Sequence, residues 1–161
     1  MRIIDIKGNL HDPHVLDILS HSQYMPTEEK LKDLADTYES DPNTYAFSCV
    51  DNNCIIGVVV FKRLTTSTFE IVSIAVAPAF RGQGIGSKLI SFAANTLKCA
   101  EVSAETDDDA VGFYRSYGFD VVSLGEKYPR ATPHKLQSFR LAEVYQHILW
   151  ITSAVLPAKA H

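Results

Sequence analysis

The sequence predicts a mixed α+β domain built around a largely antiparallel β-sheet. Three β-rich runs, at 44–50, 54–63 and 68–76, follow one another across short polar turns, a pattern typical of an antiparallel meander. Segments with apolar residues at helical spacing lie before and after these runs. One of the later segments follows a glycine-rich loop, which indicates a single β-α-β crossover. The 161 residues are enough for one domain with a sizeable core.

The elements before the meander follow from their local sequence. Residues 2–7 have the composition of a strand, and residues 11–23 have apolar positions that suit a short helix. Thr27 is a suitable N-cap for a second helix, because two glutamates then lie in the positively polarised first turn. The apolar face of that helix consists of Leu31, Leu34, Ala35 and Tyr38.

The elements after the meander alternate between helix and strand. An apolar stripe predicts a helix at 86–98, and a strand is expected at 101–105. Another helix is predicted at 107–117, ended by Gly118. The last strand candidates are 119–124 and 137–141.

Composition and charge narrow the class of protein. The formal net charge is -4, which argues against a broad nucleic-acid interface and is compatible with a small cationic acceptor. The three cysteines form no CxxC pair, so we expect reduced thiols rather than a disulfide framework. The N-terminal residues lack the layout of a signal peptide, and no apolar run reaches the ~18 residues that a membrane span needs. We therefore expect a soluble, cytoplasmic protein.

Residues 81–86, with the sequence RGQGIG, suggest an anion-binding loop at the start of a helix. The first N–H groups of a helix have no acceptor within it, and the helix dipole favours negative charge there. A Walker A loop does not fit, because the GxxxxGK[ST] spacing is not met. A dinucleotide-binding GxGxxG does not fit either, because the third glycine comes one position early and residues 77–80 separate the loop from the strand.

The loop is instead similar to a known cofactor-binding loop. The pattern of Arg81, Gly84 and Gly86, preceded by IAVAP at 74–78, resembles the coenzyme A pyrophosphate loop of the GNAT superfamily of acetyl-CoA-dependent N-acetyltransferases. Further along the chain, residues 107–119 read DDDAVGFYRSYGF, which is similar to the NxxAxxFYxxxGF signature of that superfamily. The clear resemblance covers residues 44–124.

The resemblance implies a fold, a cosubstrate and a set of contacts. It implies a GNAT domain over 1–141, in which a mostly antiparallel twisted sheet, flanked by helices, splays apart at the parallel strand pair 68–76 and 101–105. It also implies acetyl-CoA as the cosubstrate, with its pantetheine arm in the splay and its pyrophosphate on the loop. There, glycines let main-chain amides approach closely, and Arg81 adds a charge-assisted contact. The implied cofactor-binding residues are Ile74, Ala75, Val76, Arg81, Gly82, Gln83, Gly84, Ile85, Gly86, Ser87, Asp107 and Tyr114.

Acetyl transfer to an amine requires a neutral amine and a stabilised leaving thiolate. The resemblance implies that the Tyr114 hydroxyl lies near the thioester sulfur; the alternative is a core tyrosine at helical spacing. Glu70 is the candidate base, because it lies on the strand that is implied to line the site and some members of the superfamily have a glutamate there. The alternative for Glu70 is a surface carboxylate that faces solvent or pairs with Lys62 or Arg63.

Three further features bear on the site. Asp107 stands where the superfamily usually has Asn, and an aspartate there is a good helix N-cap that cannot donate the amide hydrogen bond to the cofactor. The six histidines are not accompanied by a cluster of metal ligands, so we expect no metal site. The basic, turn-rich residues 127–135 form either a solvated connector or a loop over the acceptor entrance.

The sequence therefore predicts an N-acetyltransferase in which a bound primary amine attacks acetyl-CoA directly within a ternary complex. Two alternatives stay open: a catalytically inactive coenzyme A-binding regulatory module, and a protein-interaction module. The acceptor cannot be identified from the sequence. Residues 142–161 are predicted to form an apolar C-terminal helical extension that packs on the domain or on a partner subunit, so a homodimer is one arrangement that would bury it.

Overall fold

The computed structural model describes residues 1–106, 108–123 and 134–137. The strands of this part of the chain are β1 (Arg2–Asp5), β2 (Thr44–Asp51), β3 (Cys54–Arg63), β4 (Thr68–Val76), β5 (Glu101–Thr106), β6 (Asp120–Ser123) and β7 (His134–Gln137). They form one sheet in the order β1-β2-β3-β4-β5-β7-β6. Neighbouring strands are antiparallel except for β4 and β5, which are parallel. The predicted mixed fold with a mostly antiparallel sheet is confirmed.

Helices pack on both sides of this sheet. The helices of the described residues are α1 (Pro13–Ser20), α2 (Glu28–Ser40), α3 (Ile85–Thr96) and α4 (Asp108–Tyr117). Helix α1 is shorter than the predicted 11–23, because the Asp12 side chain caps it by accepting a hydrogen bond from the His14 N–H. Thr27 caps α2 as predicted. Within the described residues, no helix combines the length and the apolar character needed to cross a membrane.

Two hydrophobic clusters hold the helices against the sheet. The first joins α3 and α4 to one side of it, with Leu89 and Phe69 among its fully buried members; we call this side the α3/α4 face. The second joins α1 and α2 to the other side, with Leu19, Tyr38 and Val60 among its members; we call this side the α1/α2 face. Each fully buried large side chain contributes about 1.5–3 kcal/mol of hydrophobic stabilisation, so both faces anchor the sheet.

The last strand differs from the sequence prediction. Strand β7 occupies His134–Gln137, whereas the predicted strand was 137–141, so the two overlap at one residue. Its register is set by its neighbours, since Leu136 lies opposite Ala104 of β5 and Val121 of β6. Cross-strand pairing, rather than the apolar pattern of the strand itself, thus fixes where it begins.

Some predictions fall wholly or partly outside the described residues. Asp107, residues 138–141 and the predicted extension at 142–161 lie outside them. Of the predicted connector at 127–135, the last two residues belong to β7, so the prediction of a connector is wrong at that end, and the remainder lies outside the described part.

Candidate active site

Strands β4 and β5 pair along only part of their length. Their parallel pairing ends at Ile71, which lies opposite Ala104. From Ala104 onward β5 pairs with β7, while β4 continues to Val76 along β3. The edge of β4 from Val72 to Val76 is therefore separated from β5, and we call this opening the β4–β5 gap. It is the splay that the resemblance implied.

A β-bulge lies where the gap begins. Val60 of β3 lies opposite Ser73 of β4. The next residue of β3, Phe61, lies opposite Ile71, so Val72 is an extra residue on β4. Before the bulge, Ile71 packs on the α3/α4 face; after it, Val72 and Ser73 both point to the α1/α2 face. The bulge was not predicted from the sequence, because no glycine or proline marks it.

The main-chain groups of Ile74 and Val76 face the gap. The N–H of Ala77 donates to a carbonyl of β3 at 2.9 Å, and main-chain groups alternate between the two edges of a strand. The Val76 carbonyl instead accepts a hydrogen bond from Nε of Arg81, at 3.1 Å. By the same alternation, the main-chain groups of Ala75 face β3. Of the three strand residues predicted to contact a cofactor, two therefore present main-chain groups to the gap.

The glycine loop ends beside the gap in an uncapped helix N-terminus. Gly82 and Gly84 both have a φ of 75°, in the left-handed region that favours glycine. Gly84 is the N-cap residue of α3 and no side chain caps the helix. The first hydrogen bond of α3 runs from the Lys88 N–H to the Gly84 carbonyl, at 3.0 Å. The N–H groups from Gly84 to Ser87 thus have no acceptor within the helix, and their dipoles favour an anion.

Two other glycines let α3 pack closely. A Cβ on Gly86 would lie 2.9 Å from Cζ of Phe113 on α4. A Cβ on Gly57 of β3 would lie 3.0 Å from the side chains of both Ile85 and Leu89. The resemblance implied a cofactor contact for Gly86, and the structure places it against α4. Gly57 was not among the predicted site residues, although an isolated glycine inside a strand pattern was the available signal.

Side chains of the loop hold its shape. Nε2 of Gln83 donates to the Ala79 carbonyl at 3.2 Å, and Arg81 is held through the Val76 carbonyl. Arg81 and Gln83 are exposed, while Ile85 is buried under the loop. Ile85 can therefore offer a ligand only its main chain, whereas Arg81 can still offer the charge of its guanidinium.

Tyr114 lies on the α3/α4 face of the sheet. Its side chain is buried, and its ring makes edge contacts with Phe113 and Phe119, with centroids 5.1 and 5.3 Å apart. It belongs to the same cluster as Ile71 and Ala104, the residues at which the gap opens. Burial raises the pKa of Tyr114. The hydroxyl therefore stays protonated at neutral pH.

Glu70 lies on the opposite face of β4. Its neighbours Phe69 and Ile71 pack in the α3/α4 cluster, so its side chain points to the α1/α2 face. The predicted alternative of a pair with Lys62 or Arg63 does not occur. Lys62 pairs with Asp41 at 3.5 Å, and the Arg63 guanidinium stacks on two aromatic rings. Glu70 is half-buried and lies two residues before the gap. Because it points to the opposite face of the sheet from Tyr114, the structure does not bring the two side chains together.

The histidines do not create a metal centre in the described part of the chain. Within residues 1–106, 108–123 and 134–137, no three His, Cys, Asp or Glu side chains come together in a way that could hold a metal ion. His11 instead contacts Asp36, with 2.8 Å between Nε2 and Oδ1.

A strand gap that opens beside an uncapped helix N-terminus defines a site for an elongated ligand with an anionic group along its length. This class of site agrees with the comparison with known families. Residues 13–119 match the acetyltransferase (GNAT) family. This match covers most of the chain, which therefore belongs to the GNAT family.

Individual relatives are similar over part of their length. The chain is 29% identical over 100 residues to the N-alpha-acetyltransferase RimI of Mycobacterium tuberculosis, covering 58% of this chain and 63% of that protein. It is 34% identical over 85 residues to N-alpha-acetyltransferase 30 of Schizosaccharomyces pombe, covering 47% and 57%. The chain thus spans less than two thirds of these curated relatives.

A solved structure is similar over nearly all of its length. The crystal structure of a GNAT family acetyltransferase from Elizabethkingia anophelis with acetyl-CoA bound superposes with a TM-score of 0.64 at 25% identity. The match covers 86% of this chain and 97% of that one. The architecture described above is therefore that of a GNAT fold.

Proposed function

We propose that this chain is an N-acetyltransferase that transfers an acetyl group from acetyl-CoA to a primary amine by direct attack in a ternary complex. The observation that carries the proposal is the juxtaposition of the β4–β5 gap with the uncapped N-terminus of α3. Acetyl-CoA needs both features, because it carries a pyrophosphate next to a long arm of amide groups. The acetyl-CoA bound to the Elizabethkingia relative supports the same choice of cosubstrate.

In the proposed complex, the cosubstrate lies along features already described. The N–H groups between Gly84 and Ser87 donate to the pyrophosphate. Arg81 adds a charge-assisted contact, since its Nε is used by the Val76 carbonyl and four N–H groups of the guanidinium remain. The main-chain groups of Ile74 and Val76 bind the amides of the pantetheine arm, as an added strand would.

In the proposed reaction, Glu70 acts as the base for the amine and Tyr114 stabilises the leaving thiolate. Glu70 accepts a proton from the bound ammonium group, directly or through water. The neutral amine then attacks the thioester carbonyl, so that a C–N bond forms and the C–S bond breaks. Tyr114 donates a hydrogen bond to the leaving thiolate and keeps its own proton, because burial raises its pKa. The extra proton on the new amide nitrogen passes to water and from there to the thiolate. A covalent route through the buried thiols is disfavoured, because burial raises the pKa of Cys49, and that of Cys99 to about 12.

For the acceptor we propose the α-amino group of a peptide. The two curated relatives are both named N-alpha-acetyltransferases. An α-amine has a reference pKa of ~7.7–8.0, so roughly a tenth of it is neutral at pH 7, against well under ~0.1% of a lysine amine. A single carboxylate such as Glu70 is then sufficient assistance.

Calorimetry with acetyl-CoA tests the binding part of the proposal. Gly84→Ala should weaken acetyl-CoA binding by about tenfold, because alanine disfavours the left-handed N-cap conformation from which α3 starts. Gly8→Ala is the matched control. Gly8 also has a positive φ, of 92°, and an added Cβ would likewise meet no atom within 4 Å, but this residue lies in the turn after β1. The control substitution should cost similar stability and leave acetyl-CoA binding unchanged. Equal binding by the two variants would contradict the proposed pyrophosphate site.

Release of free thiol tests the reaction and the acceptor. Acetyl-CoA is incubated with a peptide that has a free N-terminus, with the same peptide blocked at its N-terminus but containing lysine, and with an aminoglycoside. We expect thiol release with the first peptide only. Binding of acetyl-CoA without release for any acceptor would favour the inactive coenzyme A-binding module, and absence of binding would favour the protein-interaction module.

A further inference from the structure

A buried tyrosine from α2 contacts the bulge of β4. The Tyr38 hydroxyl lies 2.7 Å from the Ser73 hydroxyl and 3.4 Å from the Val72 carbonyl. Both side chains are buried, at 8% and 5% exposure. Tyr38 therefore contacts the two residues that make the strand irregular, at the point where β4 leaves β5.

Tyr38 is also held at its main chain. The Lys7 ammonium donates to the Tyr38 carbonyl and to the Asp41 carbonyl, which fixes the C-terminal turn of α2 against the segment that follows β1. Burial raises the pKa of Tyr38, so its hydroxyl stays neutral and acts through hydrogen bonding. The Tyr38 side chain thus connects α2 to β4 in a fixed position.

The contact between Tyr38 and Ser73 is compatible with one register of β4 only. In a regular strand Ser73 would lie on the same face as Phe69 and Ile71, which is the α3/α4 face, away from Tyr38. The extra residue at Val72 turns Ser73 to the α1/α2 face and reverses the sides of all positions that follow. The bulge consequently decides that Ile74 and Val76, rather than their neighbours, present main-chain groups to the gap.

We propose that Tyr38 is a positioning residue of the acyl-transfer site, which holds the bulge through Ser73 and so keeps the main-chain groups of Ile74 and Val76 aimed into the gap. This inference rests on the proposed function for its catalytic consequence. Its structural consequence, the fixed orientation of the β4 edge, does not depend on any activity.

The test compares two tyrosine–serine pairs of the same chemistry. Tyr38→Phe and Ser73→Ala remove the bond at the bulge. Tyr117→Phe and Ser91→Ala remove a buried hydroxyl–hydroxyl bond of 2.8 Å between α4 and α3.

Each single variant of the first pair, Tyr38→Phe or Ser73→Ala, should lower kcat by about tenfold, the size expected for a lost positioning hydrogen bond. The double variant should be no worse than either single one. Acetyl-CoA affinity should fall by about two- to tenfold, because the main-chain groups of Ile74 and Val76 that bind the pantetheine arm lose their fixed direction. The control pair should lower the melting temperature to a similar extent and leave kcat unchanged.

A second readout separates this inference from the proposed function. Amide hydrogen exchange at Ser73 and Ala75, whose main-chain groups face β3, is measured in the protein without ligand. We expect faster exchange in Tyr38→Phe and in Ser73→Ala but not in Tyr117→Phe, because only the first two release the bulge. If the wild-type protein transfers no acetyl group, the proposed function fails, and the exchange result alone decides the inference. Unchanged exchange, or a kcat that falls no further than in the control pair, would overturn it.

Discussion

Removal of one hydroxyl group, in Tyr114→Phe, tests the proposed leaving-group chemistry. The ring of Tyr114 packs against Phe113 and Phe119, and phenylalanine keeps these contacts. In the part of the chain that the structure describes, the Tyr114 hydroxyl has no hydrogen-bond partner that phenylalanine would lose. The substitution therefore removes little except the proposed interaction with the thiolate.

The expected size of the effect follows from that interaction. A hydrogen bond to a charged group contributes about 1.5–3 kcal/mol, so its loss in the transition state should lower kcat by about 10- to 150-fold. The free energy of unfolding should change by less than about 0.5 kcal/mol, because no native hydrogen bond is lost. The affinity for acetyl-CoA should also be unchanged, since the charge on sulfur develops only during the reaction.

Three measurements on the purified variant check these expectations. Free-thiol release gives kcat, calorimetry gives acetyl-CoA affinity, and thermal unfolding gives stability. Tyr117→Phe is the control on the same helix, because its hydroxyl bonds to Ser91 at 2.8 Å. It should lose about 1 kcal/mol of stability and keep its kcat. An unchanged kcat in Tyr114→Phe, or a loss of stability equal to that of the control, would refute the leaving-group role and leave Tyr114 as a core residue.

Two further predictions concern stability. Gly86→Ala should lower the free energy of unfolding by about 1–3 kcal/mol, because its Cβ would lie 2.9 Å from the Phe113 ring. On α4, the Cβ of Gly112→Ala would meet no atom within 4 Å, so this substitution should raise the free energy of unfolding by about 0.5–1 kcal/mol. Chemical denaturation measures both changes. The contribution of Tyr38 and Tyr114 to stability should be constant below pH ~10 and fall above it, because burial raises the pKa of both side chains in the fold while the unfolded chain releases these protons near pH ~10. Melting curves on either side of pH ~10 should show a shallower fall in Tyr114→Phe, and equal slopes would contradict the burial of its hydroxyl.

Much of the fold could be predicted because its signals are local. The meander follows from β-rich runs and polar turns, and the cap at Thr27 follows from the residues next to it. The left-handed backbone at Gly82 and Gly84 is of the kind that glycine permits most easily. In each case, neighbouring residues carry the information, so pattern and structure agree.

The features that the sequence did not reveal depend on partners far along the chain. The bulge at Val72 is a shift in the pairing between β3 and β4. Burial alternates along β4 without a break at Val72, so the pattern within the strand does not indicate the bulge. The Tyr38 hydroxyl finds Ser73 thirty-five positions away, although its place on the apolar stripe of α2 was predicted. Strand β7 takes its position from the strands beside it. Pairing and side-chain contacts of this kind are tertiary, and periodicity does not encode them.

The division of the candidate groups between two faces of the sheet has a consequence for the proposed chemistry. Tyr114 packs on the α3/α4 face, and Glu70 points to the α1/α2 face, where Tyr38 also packs. The sheet thus keeps the proposed hydrogen-bond donor for the thiolate and the proposed base for the amine on opposite sides. In the proposed complex, a thioester held in the gap would present its sulfur to the Tyr114 hydroxyl and its carbonyl carbon to an amine arriving from the other side. The bulge at Val72 lies at the start of the gap, between these two groups. In our proposal it sets the direction of the main-chain groups of Ile74 and Val76, which hold the thioester between the donor and the base.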